Sequence, residues 1–210
     1  MRIGIIGTGN IGQTLARHFV DAGHEVAVSN SRGPDSLAEF VDELGPGARA
    51  ATVAAAAEFG DLLVEAIPFG AYETLPADAL AGKILVSASN YYPDRDGEID
   101  FGGHTQTGLV AAHLDDSRVV KAFNTMYYET LRDDARPDAP FDDRLALFVA
   151  GDDADAKSVV TDLIEEIGFT PVDAGTLADS YRVQPGSPVY NEPMVGPKAE
   201  RRLGDLQRQV

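Results

Sequence analysis

Residues 2–12 read RIGIIGTGNIG. Ile3–Ile6 is a short apolar run of strand type, and from Asn10 to Ala22 the residues Ile11, Leu15, Phe19 and Ala22 recur on one helical face. Between them Gly7, Gly9 and Gly12 form GxGxxG, a pattern that gains weight when it follows a strand and opens a helix. Gly7 allows the tight turn, Gly9 lets the backbone approach a pyrophosphate, and Gly12 lets helix and strand come close. The unpaired N–H groups of Asn10 and Ile11 at the helix start then face an anion. The stretch implies a dinucleotide site; a glycine-rich turn without a ligand is the plain alternative.

The same alternation continues downstream. His24–Ser29 reads as a strand, Pro34–Leu44 as a helix and Ala48–Thr52 as a strand, with Asp35 behind Pro34 read as a helix cap. Val53–Phe59 reads as a helix, Asp61–Ile67 as a strand, Ala71–Leu80 as holding a short helix and Lys83–Ala88 as a strand. A charged loop over 93–104, a helix Thr105–Leu114 and a strand Arg118–Phe123 follow. Beyond them come an acidic loop over 132–144, a strand Leu145–Ala150, a helix to Gly168 capped by Asp152 or Asp153, and a short strand Phe169–Val172. Strands alternating with helices predict an α/β fold of Rossmann type, a mostly parallel sheet with helices on both faces. The expected division is a dinucleotide-binding domain over 1–125, a small C-terminal lobe continuing the sheet over 126–196, and a polar tail over 197–210, either a short helix or frayed.

Composition narrows the function. The 210 residues carry 34 acidic and 17 basic side chains, a formal net charge of -17, so this acidic protein lacks the positive footprint of a nucleic-acid or anionic-membrane binder. There is no cysteine, which excludes disulfides, thiol catalysis and cysteine-ligated metals. The apolar runs are short, and MRIGIIG reads as a strand and not a signal peptide, so a cytoplasmic protein is expected. The four histidines, His18, His24, His104 and His113, form no metal-ligand spacing, and no metal is expected. His104, in a loop near the expected mouth of the site, is a weak candidate general acid, with a structural or merely exposed role as the alternative.

The end of the second strand discriminates between dinucleotides. An NAD site usually places Asp or Glu there; this chain has Asn30, Ser31 and Arg32. Arg32 can offer its guanidinium fork, and Ser31 a hydroxyl, to a 2'-phosphate, while Asn30 can hold the adenosine ribose, so NADP(H) is favoured. Ligands in such sheets bind beyond the carboxyl ends of the strands. Those ends bring Ala66, Ile67, Pro68 and Phe69 from the fourth strand, Ser89 and Asn90 from the fifth, and Phe123 and Asn124 from the sixth. With Gly7, Thr8, Gly9, Asn10, Ile11 and Gly12 these complete the candidate cofactor site. Phe69 and Phe123 are either a wall of the site, with Tyr91 and Met126, or ordinary core; Asn90 and Asn124 either orient polar ligand edges or shape turns. Direct hydride transfer between two rings needs geometry and dryness more than an acid–base pair, so no catalytic acid or base is required.

The segments GIIGTGNIGQTLA, HEVAVSNSRGPDSL, AIPFGAY, SASNYYPDRDG and VVKAFNT, in this order, resemble the NADPH-dependent deazaflavin-coenzyme (coenzyme F420) reductase family. The wider group includes other NADP oxidoreductases and the cytoplasmic reductase domain of the membrane metalloreductases. The resemblance covers residues 1–190 and is most specific in the pairing of NSRGP with KAFNT. It implies hydride transfer between NADPH and a flavin-like acceptor, a deazaflavin or FMN. It places Gly9, Asn10 and Ile11 under the pyrophosphate, Ser31 and Arg32 at the 2'-phosphate, Ile67, Pro68 and Phe69 along the cofactor, and Asn124 near the nicotinamide. It also implies a homodimer whose C-terminal lobe helps to close the second-substrate pocket. The competing expectation is a non-catalytic NADP-binding redox sensor or partner subunit, with the acidic loop over 132–144 as its docking surface.

Overall fold

The structure, a computed structural model, describes residues 1–207. In chain order the elements are β1 (Arg2–Ile6), α1 (Asn10–Asp21), β2 (Glu25–Ser29), α2 (Ala38–Leu44), β3 (Ala48–Ala51), α3 (Val53–Phe59) and β4 (Leu62–Glu65). Then come α4 (Ala77–Leu80), β5 (Ile84–Ser87), α5 (Pro93–Asp96), α6 (Gln106–His113), β6 (Arg118–Lys121) and α7 (Tyr128–Asp133). The chain ends in β7 (Ala146–Gly151), α8 (Ala154–Glu166), β8 (Thr170–Gly175) and α9 (Gly196–Gln207).

The strands form one eight-stranded sheet in the order β3-β2-β1-β4-β5-β6-β7-β8. The pairs from β3 to β6 are parallel. β7 runs antiparallel to β6, and β8 is parallel to β7. Every residue of β4 and β5 is buried, as expected of parallel strands covered on both faces. Leu15 and Phe19 of α1 and Val160 and Leu163 of α8 pack on one face, against Ile3, Ile5, Val64 and Val120. Ala57, Leu80 and Val110, from α3, α4 and α6, cover the other face against Leu63, Leu85 and Val119. The starts of these helices are capped where the chain supplies an oxygen. Thr52 accepts from Ala55 N, Thr105 from Gly108 N and Asp153 from Ala156 N, at 3.1, 3.1 and 2.8 Å.

The architecture is the mostly parallel, Rossmann-like sheet that the alternation predicts. Three local features differ. Asp35 makes no capping bond; Ser36 Oγ instead donates to Gly33 O at 2.7 Å. The stretch before the acidic loop forms α7, whose buried Leu131 docks it on α1, with its carbonyl 2.7 Å from His18 Nε2. One apolar contact is too little to show as a period in the sequence. β8 extends to Gly175, past the expected end at Val172, because its ladder with β7 continues across an irregularity at Val149/Ala150. The polar C-terminal stretch takes the helical one of its two expected forms, through Gln207, with Ala199 and Leu203, one turn apart, buried against Val183, Val189 and Met194; the last three residues of that stretch lie outside the described residues. Among the described residues no helix is long and apolar enough to cross a membrane.

If α9 is an integral part of this third core, Leu203→Ala should lower the unfolding free energy by about 2–4 kcal/mol in urea denaturation. A loss below about 0.5 kcal/mol would show the helix detached.

Candidate functional site

The sheet reverses its winding between β1 and β4, which is where a crevice opens in doubly wound folds. The β1–α1 loop crosses that point under tight steric limits. Gly7 has φ 104°, and a Cβ there would lie 2.5 Å from the Ala66 carbonyl oxygen. A Cβ on Gly12 would be driven into the carbonyl oxygen of Gly7. At Gly9 the situation is opposite: a Cβ would meet nothing within 4 Å, so the backbone is open to the crevice. No side chain caps α1 and its first turn holds no acid, which leaves its N–H groups available to an anion. These features fit a dinucleotide pyrophosphate laid over Gly9, Asn10 and Ile11.

Thr8 serves to fasten the loop. Its carbonyl accepts from Gln13 Nε2 at 3.0 Å, and its hydroxyl from Asn30 Nδ2 at 3.2 Å. Asn30 also donates to Ser36 Oγ, and its Oδ1 accepts from Arg32 N at 2.8 Å. The amide expected at the ribose is thus engaged in joining the loop after β2 to the glycine loop. Ser31 and Arg32 project from that joint, exposed, and Arg32 forms no ion pair among the described residues.

A cleft of about 510 Å³ runs from Gly9, Asn10 and Ile11 past the ends of β4, β5 and β6. Ala66, Ile67, Pro68, Ser89, Asn90, Phe123 and Asn124 line it, as does Met126. Asn90 and Asn124 clasp each other: Asn90 Nδ2 donates to Asn124 O at 2.9 Å, and Asn124 Nδ2 to Asn90 Oδ1 at 3.1 Å and to Val183 O at 2.7 Å. Asn124 Oδ1 is buried without a partner, an acceptor held ready for a ligand N–H. Phe123, fully buried against Phe19, carries φ 61°. A bulky side chain in the left-handed region is strained, a condition that recurs at ligand sites.

A family model described as NADP oxidoreductase, coenzyme F420-dependent, matches residues 2–91. A solved structure of a hypothetical protein from Sinorhizobium meliloti shares 34% identity at TM-score 0.81, covering 93% of this chain and 95% of that one. The chain belongs to this family of NADP oxidoreductases. A candidate F420-dependent NADP reductase from Arthrobacter sp. FB24 is 26% identical at TM-score 0.72, covering 100% of this chain and 93% of that one. The metalloreductase STEAP3 of Rattus norvegicus is 31% identical over 187 residues, 87% of this chain and 36% of the rat protein. The chain spans about a third of the length of the curated relatives it matches.

In this NADP oxidoreductase several residues named from sequence lie outside the cleft. Phe69 is buried on the other side of its loop, with ring centroids 5.4–5.9 Å from Tyr72, Tyr91 and Phe101, so it belongs to the second core. Tyr91 packs with it. His104 is exposed just before α6 and does not line the cleft. Gly7 and Gly12 act beneath the cleft, as steric allowances. Tyr92 of the fifth-strand rim, Tyr190 and Asn191 of the turn-rich segment, and Arg95, Tyr127 and Tyr128, which sequence reading passed over, complete the lining. Arg95 donates to Asn90 O at 2.6 Å and forks onto Asp96, whose side chain is buried. Asn191 N donates to Thr125 O at 2.8 Å, bringing Tyr190 over the mouth, where its hydroxyl meets that of Tyr92. The YNEP run marked a turn, and nothing local in it showed which strand ends it would meet.

Beneath the rim lies a buried polar layer. Glu65, Ser87 and Lys121 are cross-strand neighbours on adjacent strands β4, β5 and β6. Glu65 Oε1 accepts from Ser87 Oγ at 2.5 Å and from Ser89 Oγ at 2.8 Å, while Lys121 Nζ donates to the Ser89 carbonyl. Ser89 is therefore held by both its side chain and its backbone. Burial pushes the Glu65 carboxyl up, opposed by its serine hydrogen bonds and by Lys121. Burial pushes Lys121 down to about 8, opposed by the Glu65 charge.

The unfolded chain binds the Lys121 proton more tightly than the folded protein does. Between the folded value of about 8 and the ordinary lysine value near ~10.4, this group's contribution to stability therefore rises with pH. Relative to the double variant Glu65→Gln/Lys121→Met, the wild type should gain on the order of 1–3 kcal/mol from about pH 8 to about pH 10. Urea unfolding of both proteins across that range measures it, and a constant difference would refute it.

Proposed function

We propose that this member of the NADP oxidoreductase family reduces a flat, flavin-like acceptor, a deazaflavin or FMN, at the expense of NADPH. The observation that carries the reading is the composition of the cleft. It extends from the open N-terminus of α1 to the Asn90–Asn124 clasp, and no carboxylate and no histidine is among its lining residues. Its titratable groups are Arg95 and the tyrosines, and burial together with Tyr92 pushes Tyr190 above the ordinary tyrosine value. Such a lining suits hydride exchange between rings better than alcohol oxidation, in which a proton must leave with the hydride.

NADPH, when bound, supplies the hydride. The chain supplies placement. The α1 N–H groups hold the pyrophosphate, and Arg32 and Ser31 the 2'-phosphate. Asn124 Oδ1 accepts from an N–H at the redox end. Ile67, Pro68, Phe123 and Met126 keep that end dry, which favours direct transfer. Tyr92, Tyr127 and Tyr190 leave a broad aromatic mouth for the second ring. The reading includes the homodimer that the resemblance implies, for which sedimentation is the test.

Turnover is followed by nicotinamide absorbance with NADPH against deazaflavin, FMN, FAD and ferric chelate. Arg32→Ala should raise KM for NADPH on the order of 10- to 100-fold, since one charge-assisted contact to phosphate is removed. KM for NADH should stay near its wild-type value. Absence of turnover with every acceptor, or equal effects on both dinucleotides, would overturn the reading.

A further inference from the structure

Anions meet an unfavourable surface on a protein with a net charge of -17, and twelve of the sixteen cations among the described residues are already engaged. Arg2, Arg17, Arg49, Arg118 and Arg132 pair with carboxylates. So do Arg95, Arg136, Lys157 and Arg182. Lys83 and Arg144 are held by backbone carbonyls, and Lys121 is buried in the polar layer. Among the described residues the cations left without such a partner are Arg32, at the 2'-phosphate position, and Lys198, Arg201 and Arg202 of α9.

These last three lie at spacings of three and four residues, which places them on one helical face where they repel each other. They line a single cleft of about 560 Å³ together with Ser187, Pro188, Tyr190 and Met194. Glu192 and Asp205 are its carboxylates. The cations are not on a loose tail, because Ala199 and Leu203 anchor the opposite face of α9. Ser187 Oγ is buried there without a hydrogen-bond partner. Tyr190 lines both this cleft and the dinucleotide cleft, so the two adjoin at that residue.

We propose that the α9 cleft is a binding site for an anionic group, a phosphate or clustered carboxylates, carried on an arm of the acceptor whose ring enters past Tyr190. The inference rests on the functional reading above and assigns the place on this chain where the acceptor's charged extension is held. Lys198, Arg201 and Arg202 hold the arm, Ser187 Oγ donates to it, and Tyr190 marks the passage from arm to ring.

FMN and riboflavin share one ring and differ by a phosphate, so their affinity ratio reads this site. Titrated by flavin fluorescence at low salt with NADP+ present, FMN should bind the wild type at least about 10-fold more tightly than riboflavin. The ratio should fall toward one in Lys198→Gln/Arg201→Gln/Arg202→Gln, shrink with added KCl, and persist in Arg201→Lys/Arg202→Lys. Circular dichroism and thermal unfolding confirm that each variant is folded. Equal affinities in the wild type, a preference that survives in the triple glutamine variant, or no binding of either flavin would overturn the proposal. Inorganic pyrophosphate bound by the wild type and not by the triple variant, without any FMN preference, would also overturn it and would show a site for a free anion. Titrating the wild type with NADP+ alone separates the two ideas. Loss of dinucleotide binding sinks the functional reading, whereas the FMN preference alone reports on the α9 cleft.

Discussion

The whole site depends on how closely the first turn of α1 approaches the loop that precedes it. Gly12 sits against the Gly7 carbonyl and Gly7 against that of Ala66, with no room for a side chain at either position. That contact brings the free N–H groups of α1 to the point where the sheet changes direction, between β1 and β4. A helix set back by the width of a methyl group would point its dipole at bulk solvent, where an anion gains little from it. Asn30 extends the constraint sideways. By bonding Thr8, Ser36 and Arg32 it makes the phosphate loop and the loop after β2 one unit.

The redox end is built by a second set of ties, made by distant parts of the chain. Asn90 and Asn124 join the rims of β5 and β6, Val183 accepts from Asn124, and Thr125 accepts from Asn191. The Glu65–Ser89–Lys121 layer stiffens the same rim from below. Burying two ionisable groups is expensive and weak evidence for stability, so their place directly under a cleft-lining residue, Ser89, is the more informative fact. The acidic surface fits this arrangement: with most cations neutralised locally, those remaining stand where anionic groups would be received.

Much of this was legible in the sequence. The alternation of strand and helix predicted the sheet, because each buried strand reads as a continuous apolar run and each covering helix shows its stripe. GxGxxG and the polar residues at the strand ends pointed to residues that line the cleft, since a doubly wound topology turns a position along the chain into a position in space. Phe69 misled, because a strand-end aromatic can turn either way and the local sequence does not record on which side of the sheet it finds room. Thr8 and Asn30, read as ligand contacts, also tie the two loops together through their bond to each other and those to Gln13, Ser36 and Arg32.

By itself, then, the chain determined the α/β architecture and the lean toward NADP(H), both of which follow from short-range pattern and local backbone chemistry. Only the tertiary structure decided that α9 is part of the core, that Tyr190 and Asn191 close the cleft, that Glu65 and Lys121 are neighbours, and that three cations are left facing one groove. Each of these is a meeting of segments far apart in the chain, fixed by packing and strand order, and no local pattern carries that information.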